Sequence, residues 1–580
     1  MKLLLAKGGR TGYHIVVGKD APDADKFAAR ELANFLFEIT GAAFTFSFER
    51  GSAEKIIAVG QAAAAEAGFA LEADLGLETL VHDTNGGDVA LYGGQPRGTL
   101  YAMYDFLDGL GCRWFTPTVS RIPRLPDLEI FVQKKRFTPV LEYRDHNYHF
   151  MREDPVFAAR NKINGAMTRL MPEMGGRIKY GPFVHTFEKL MSPKDYFEEH
   201  PEYFSMVKGE RISEKTQLCL TNPDVHKIVC GEIRKWLTED PTLTIISVSQ
   251  NDWSNPCECP ECKKVDELTG SNAGTMIMFL NKVAETLEPE YPHVVFDTLA
   301  YSYTRKTPKG IKPRHNVCVR LCSIECCYSH PYGQCDGMPD IFAREVTDNV
   351  HSDQSFASDL REWAKICDRL YIWDYVTNFA NYCMPFPNFH VLADNIKFLT
   401  ANSVRGIFEQ GNSTSGGGAD LNELRCYMIS RLLWDPHCDI EAEKKMFLEE
   451  FYGEAASAVS EYIDLMREAV VADGVHMGIY EPPEFHHLTD AALTRAEEIL
   501  SAPEEELMRD MTRLVRLKRA QLPLKFVRMR HKVKPEAIDR ELIEVFFELA
   551  KTAGISRVSE IRTLEYSKNH LLEKGTLYTF

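Results

Sequence analysis

The chain has 580 residues, with 67 Lys and Arg against 84 Asp and Glu, a formal net charge of −17. At 44% hydrophobic and 26% charged residues it has material for several cores, which excludes global disorder. The acidic balance and the lack of a long Lys/Arg run exclude a protein that coats nucleic acid, because phosphate neutralisation needs a basic face.

The apolar stretch Leu3–Ala6 is far shorter than a secretory h-region, and no window approaches the ~18–20 apolar residues of a membrane span. Fifteen cysteines, several alone within apolar runs (Cys219, Cys230, Cys318, Cys426), read as buried thiols of a reduced, cytoplasmic protein. Residues 1–130 alternate strands and helices. Tyr13–Val17, Lys55–Gly60 and Asp88–Tyr92 have strand patterns; Asp25–Thr40 and Thr99–Leu110 have helical spacing, with Gly41 as a stop. No phosphate-cradling glycine motif is present, so this is a small α/β domain without a nucleotide signal.

Residues 138–435 repeat strand then helix on a longer beat. The strand candidates are Leu141–Arg144, Ile163–Thr168, Gln217–Leu220, Leu243–Ser249, Val294–Leu299, Val317–Cys322, Leu370–Trp373 and Val404–Phe408. Eight strands alternating with helices over about 300 residues predict a central (β/α)8 TIM barrel, with a doubly wound sheet as the rival. Residues 436–580 carry apolar positions at helical spacing and read as a C-terminal helical bundle, for stability or self-association into a homo-oligomer.

A barrel confines function to the C-terminal strand ends and the loops after them. That filter selects Arg144 and His146, then Asn251, Asp252 and Trp253, then Tyr301 and Tyr303, then Glu325, then Trp373, Asp374 and Tyr375, and finally Glu409. His185 falls in a neighbouring loop. Carboxylates, amides and aromatic rings in one mouth suit a carbohydrate substrate. Asp252 follows an apolar, uncharged strand, where desolvation is expected to raise its pKa towards that of a general acid; an Asx-turn cap is the structural alternative. Asn251 could donate to an acetamido oxygen or a hydroxyl. Glu409 is a second catalytic candidate, with a salt bridge to Arg405 or Arg425 as its structural reading. His146 and His185 are candidates for hydroxyl contact. No metal or cofactor is expected in the chemistry itself.

Cys257, Cys259 and Cys262 form a CxCxxC immediately after that mouth segment. Thiolates at this density suit a structural Zn2+ if a fourth ligand arrives, for which Cys322, Cys326, Cys327, Cys335 and His330 are available after the sixth strand. Packed free thiols are the alternative.

The segments AARELANFLFEITG and RGTLYAMYDFLDGLGCRWFTP resemble the N-terminal domain of α-glucuronidases and hexosaminidase-type glycosidases. HPEYFSMVKGER, SVSQNDWSNPCECPEC, DTLAYSYTRKTP, LYIWDYVTNF, GIFEQG and RLLWDPHCD resemble the domain of unknown function 4838, related to the endo-β-N-acetylglucosaminidases of glycoside hydrolase family 163. The resemblance implies a retaining glycosidase acting on a 2-acetamido sugar, in which the acetamide oxygen attacks, Asn251 orients it and Asp252 protonates the leaving oxygen. An α-glucuronidase or other exo-glycosidase, with Arg144, Arg169 or Arg320 holding a uronate, is the second reading. A non-catalytic carbohydrate-binding protein is the third.

Overall fold

The computed structural model describes residues 2–335, 355–418 and 420–577. Contacts divide the chain into two compact units. The first holds residues 1–142, 149–177 and 423–456; the second holds 143–148, 178–422 and 457–580. The helices expected as one C-terminal bundle therefore fall in both units, with Ile440–Tyr452 in the first and Ala456–Val471 onward almost wholly in the second. Among the described residues no helix is long and apolar enough to cross a membrane.

In the first unit a six-stranded sheet runs in the order Lys135–Phe137, Leu80–Asn85, Asp88–Gly93, Lys55–Val59, Tyr13–Val17, Phe46–Ser47. Helices Asp23–Thr40 and Gly98–Gly109 pack on each other, and Gly41 ends the former in the left-handed region at φ 74°. Buried Asp108 bonds Lys162 and Arg431, while Glu443 bonds Arg113 and Arg431. These ion pairs tie the segments 149–177 and 423–456 to the N-terminal sheet.

The second unit is built on a six-stranded, wholly parallel sheet. Its order is Tyr143–His146, Val404–Gln410, Leu370–Tyr375, Val317–Cys322, Val295–Ala300, Ile245–Ser247. The first of these strands in chain order thus pairs with the last, as in a curled barrel-like sheet. Two of the eight expected strands do not form. Residues 163–168 are turn: Lys162 takes φ 59°, Ile163 N–H bonds Ala158, and Thr168 N–H bonds Gly165, so local partners consume the ladder donors. Residues 217–220 pair antiparallel with 203–205 instead, through Ser205 N–H to Gln217 and Cys219 N–H to Tyr203. The sheet edge at Ile245 is extended only by a single parallel bridge to Tyr180.

Alternation along each strand separates two faces. At the Ile245–Ser247 end of the sheet the outer face is apolar: Ile246, Val248, Phe296 and Val317 join Val229 and Ile233 of helix Pro223–Glu239, and Leu280 and Val283 of helix Ala273–Leu287. The inner face is aromatic and polar. Tyr143 and Tyr371 are both register partners of Gly406 and stack across it with centroids 5.5 Å apart; a Cβ on Gly406 would meet Tyr371 at 2.7 Å. Glycine at this point is a packing requirement.

Candidate active site

Below the mouth, Arg320 and Asp297 form a fully buried ion pair at 2.7 Å on the inner face. The guanidinium also donates to the Phe183 carbonyl and lies 4.4 Å from the Phe183 ring centroid and 4.9 Å from that of Tyr180. Its charge is therefore consumed inside the fold. Above it stands Trp373, whose indole N–H donates to Gln410 Oε1 at 2.8 Å. Gln410 Nε2 in turn donates to Glu560 Oε1 at 3.0 Å. Glu560 comes from the connection between helices Arg540–Thr552 and Leu564–Lys574, held over the mouth by its N–H to the Phe379 carbonyl at 3.0 Å.

The opposing carboxylate is Asp252. Gln217 Oε1 accepts from the Asn251 N–H at 2.9 Å, while Gln217 Nε2 donates to the Trp253 carbonyl at 2.7 Å. Asn251 Nδ2 and Trp253 Nε1 both donate to the Thr216 carbonyl, and Asn251 Oδ1 accepts from Glu188 N–H. With its two neighbours turned inwards and locked, Asp252 projects outwards. Its Oδ1 accepts from Tyr301 OH at 3.2 Å and lies 3.6 Å from His185 Nε2. His185 Nδ1 faces the Gln250 carbonyl at 2.8 Å, which places the ring proton on Nδ1. His185, Asn255 and Ser302 are non-glycine residues held at φ 52°, 66° and 53° around this loop. Backbone strain of this kind concentrates at functional sites.

Electrostatics links the two carboxyls. Burial first, and then the charge of Asp252, raise the Glu560 pKa above the usual carboxylate range, against the hydrogen bond from Gln410. Burial also raises the Tyr480 phenol, with the charges of Glu560 and Asp252 adding to it. Tyr375 is the register partner of Gln410, and burial raises its phenol strongly.

Several expected site residues lie elsewhere. Asp252 has 62% of its side chain exposed, so the desolvation expected of it is absent. The Asn251 amide is spent on backbone partners and does not face a ligand. Glu409, Asp374 and His146 are register partners on the outer face, one residue out of phase with Gln410 and Trp373. Glu409 is fully buried, its Oε2 accepts no hydrogen bond, and burial followed by the charge of Asp374 raises its pKa strongly. Asp374 instead accepts from Ser323, Tyr332 and the Tyr375 N–H, hydrogen bonds that work against the rise burial gives its pKa. Burial lowers His146 to about 3, and Arg144 is buried on the same outer face. Glu325 pairs with Arg305, and Tyr303 is buried. The residues that sequence reasoning missed are Glu560 and Tyr480. Both sit in connections of the helical region, where neither a strand end nor a motif marks them.

The expected cysteines do converge, with a different fourth member. Cys219 joins Cys257, Cys259 and Cys262, all buried, with the four sulfurs within 4.8 Å of one another. Cys219 Sγ is 3.6 Å from Cys259 Sγ and 3.9 Å from Cys262 Sγ. A tetrahedral Zn2+ with Zn–S of ~2.3 Å sets sulfurs roughly 3.8 Å apart, so the donor set fits zinc. Met206 N–H and Arg211 Nη1 donate to Cys257 Sγ, a second layer of the kind that orients thiolate ligands.

The fold is similar to those of solved structures. A family GH115 4-O-methyl-α-glucuronidase with specificity for decorated arabinogalactans is similar at a TM-score of 0.57 and 10% identity, over 99% of this chain and 78% of that one. A GH138 enzyme targeting pectin rhamnogalacturonan II is similar at a TM-score of 0.46 and 10% identity, over 97% and 95% of the two chains. No curated protein matches the chain. Residues 114–464 match the family described as Domain of unknown function (DUF4838), and the chain belongs to that family.

Proposed function

We propose that this protein is a glycoside hydrolase in which Glu560 is the proton donor and Asp252 the carboxylate on the other side of the scissile bond. The observation that carries the reading is Glu560 itself, half-buried, tethered by Gln410 and raised in pKa by burial and then by the charge of exposed Asp252. A half-buried carboxyl of raised pKa together with a solvent-exposed one is what a glycosidic oxygen and an oxocarbenium-like transition state require. Glu560 protonates the departing oxygen and the C1–O bond breaks. Tyr301 holds Asp252 in place by its hydrogen bond, and Trp373 and Tyr480 offer ring surface and a hydroxyl to the sugar.

In the 2-acetamido form of this reading, Asp252 takes the orienting role that Asn251 cannot fill. It accepts the acetamide N–H while the acetamide carbonyl oxygen attacks C1. Glu560 then returns as base to the water that opens the intermediate. The uronate reading draws on the GH115 likeness in fold, but Arg320 is engaged by Asp297 and Arg169 by Glu153. The four-cysteine cluster is proposed to bind Zn2+, fixing Cys219 and thereby the Gln217 clamp two residues before it. A reducing, cytoplasmic setting suits fifteen thiols that form no disulfide among the described residues.

A screen of aryl glycosides and N-glycan fragments tests the proposal, with the first product's anomer read by NMR. Turnover that is abolished in Glu560→Gln supports it, and a thiazoline mimic that inhibits competitively supports the acetamido form. Full activity in Glu560→Gln would falsify the assignment of the proton donor.

A further inference from the structure

A second cluster of soft ligands lies apart from the four cysteines. Cys327, His330 and Cys335 sit on the loop after strand Val317–Cys322, and His476 follows helix Ala456–Val471. Their four ligand atoms lie within 4.8 Å of one another. Cys327 Sγ is 3.2 Å from His330 Nδ1, and Cys335 Sγ is 3.5 Å from His476 Nδ1. The two imidazole centroids are 4.8 Å apart. Zn–S of ~2.3 Å and Zn–N of ~2.0–2.1 Å in a tetrahedron put sulfur and nitrogen roughly 3.5 Å apart, close to both observed pairs. Two thiols and two imidazoles without a carboxylate select zinc over calcium or magnesium, which take oxygen ligands.

The cluster joins two stretches of chain that are far apart in sequence and already aligned by hydrogen bonds. Tyr328 N–H donates to the Met477 carbonyl at 2.8 Å, and Ser329 Oγ donates to the Val475 carbonyl. Phe379 N–H donates to the Ile479 carbonyl at 2.7 Å. Tyr480 is four residues beyond His476.

We propose that Cys327, His330, Cys335 and His476 form a Cys2His2 zinc site that latches the Tyr480-bearing segment to the loop after strand Val317–Cys322. A metal here links the second unit's helical region to the end of its sheet by bonds stronger than the hydrogen bonds that flank it. The site is independent of the glycosidase reading, and its test needs no substrate.

The full chain, purified under reducing conditions without chelators, is titrated with Zn2+ against a chromophoric chelator, beside His476→Gln and Cys335→Ser. The expected result is one fewer tightly bound zinc per chain in each variant than in the wild type, with the four-cysteine zinc retained. Equal zinc content in wild type and variants overturns the proposal, as does a Cys327–Cys335 disulfide found by mass spectrometry without reduction. Should the variants not fold, zinc-edge X-ray absorption of the wild type decides. Nitrogen in the first shell supports the site, with an average of three sulfurs and one nitrogen when both clusters are filled. An all-sulfur shell overturns it.

Discussion

Gln410 and Glu409 are adjacent, yet they belong to different parts of the molecule. Gln410 lies on the inner face with Trp373 and Tyr375 and passes a hydrogen bond to Glu560. Glu409 lies on the outer face, sealed beside Asp374. The inner face pairs Arg320 with Asp297 and links Trp373, Gln410 and Glu560 by hydrogen bonds; on the outer face burial raises the pKa of both Glu409 and Asp374. A carboxylate at a strand end is therefore not catalytic by position alone. The phase of the strand decides which side it serves.

The largest expected effect is on the inner face. Arg320→Met strands Asp297 as a buried unpaired carboxylate and should cost on the order of 3–5 kcal/mol in urea unfolding, while adding Asp297→Asn should recover most of it. Recovery failing in the double variant would show that Arg320 acts by packing on the aromatic rings and not by pairing.

Next comes Glu560→Gln, which should lower kcat at least about 100-fold with little change in KM. The pH profile supplies the sign. A proton donor works only below its pKa, so activity should fall as pH rises through the raised Glu560 value. Because the Asp252 charge contributes to that rise, Asp252→Asn should move the alkaline limb to lower pH as well as lower kcat. A limb that stays in place separates the two carboxyls.

Tyr301→Phe removes one hydrogen bond to Asp252 and should cost about 3–10-fold in kcat/KM, consistent with about 0.5–1.5 kcal/mol. Smallest is Glu409→Gln. Its folded pKa is raised, so the stability it contributes is present below the unfolded value and lost as pH rises towards the folded one. The variant should match wild-type activity within about 2-fold. It should gain thermal stability that grows from pH 4 to pH 8, on the order of 1 kcal/mol. A large loss of activity in Glu409→Gln would erase the distinction between the faces.

Much of the second unit was legible because its strands are long apolar runs. Val317–Cys322 has the same ends in both readings, and Leu370 and Val404 start the strands they were expected to start. The segments 163–168 and 217–220 carry similar apolar content but lose their ladder donors to neighbours in sequence or to residues 203–205, and hydropathy does not register that competition. The Asn251-Asp252-Trp253 loop was found by its place after an apolar strand. The roles within it were not, because they depend on Thr216, Gln217 and Glu188 claiming two of the three residues. Cys219 was read as a lone buried thiol, and only the fold brings it to the CxCxxC.

The matched family region ends at residue 464. Tyr480 and Glu560 both lie beyond it, on connections between helices instead of on the sheet. An expression clone cut at that boundary would keep every strand of the parallel sheet and lose the assigned proton donor. Relatives that share the sheet but diverge in the tail would keep the Asp252 loop while exchanging both of these residues.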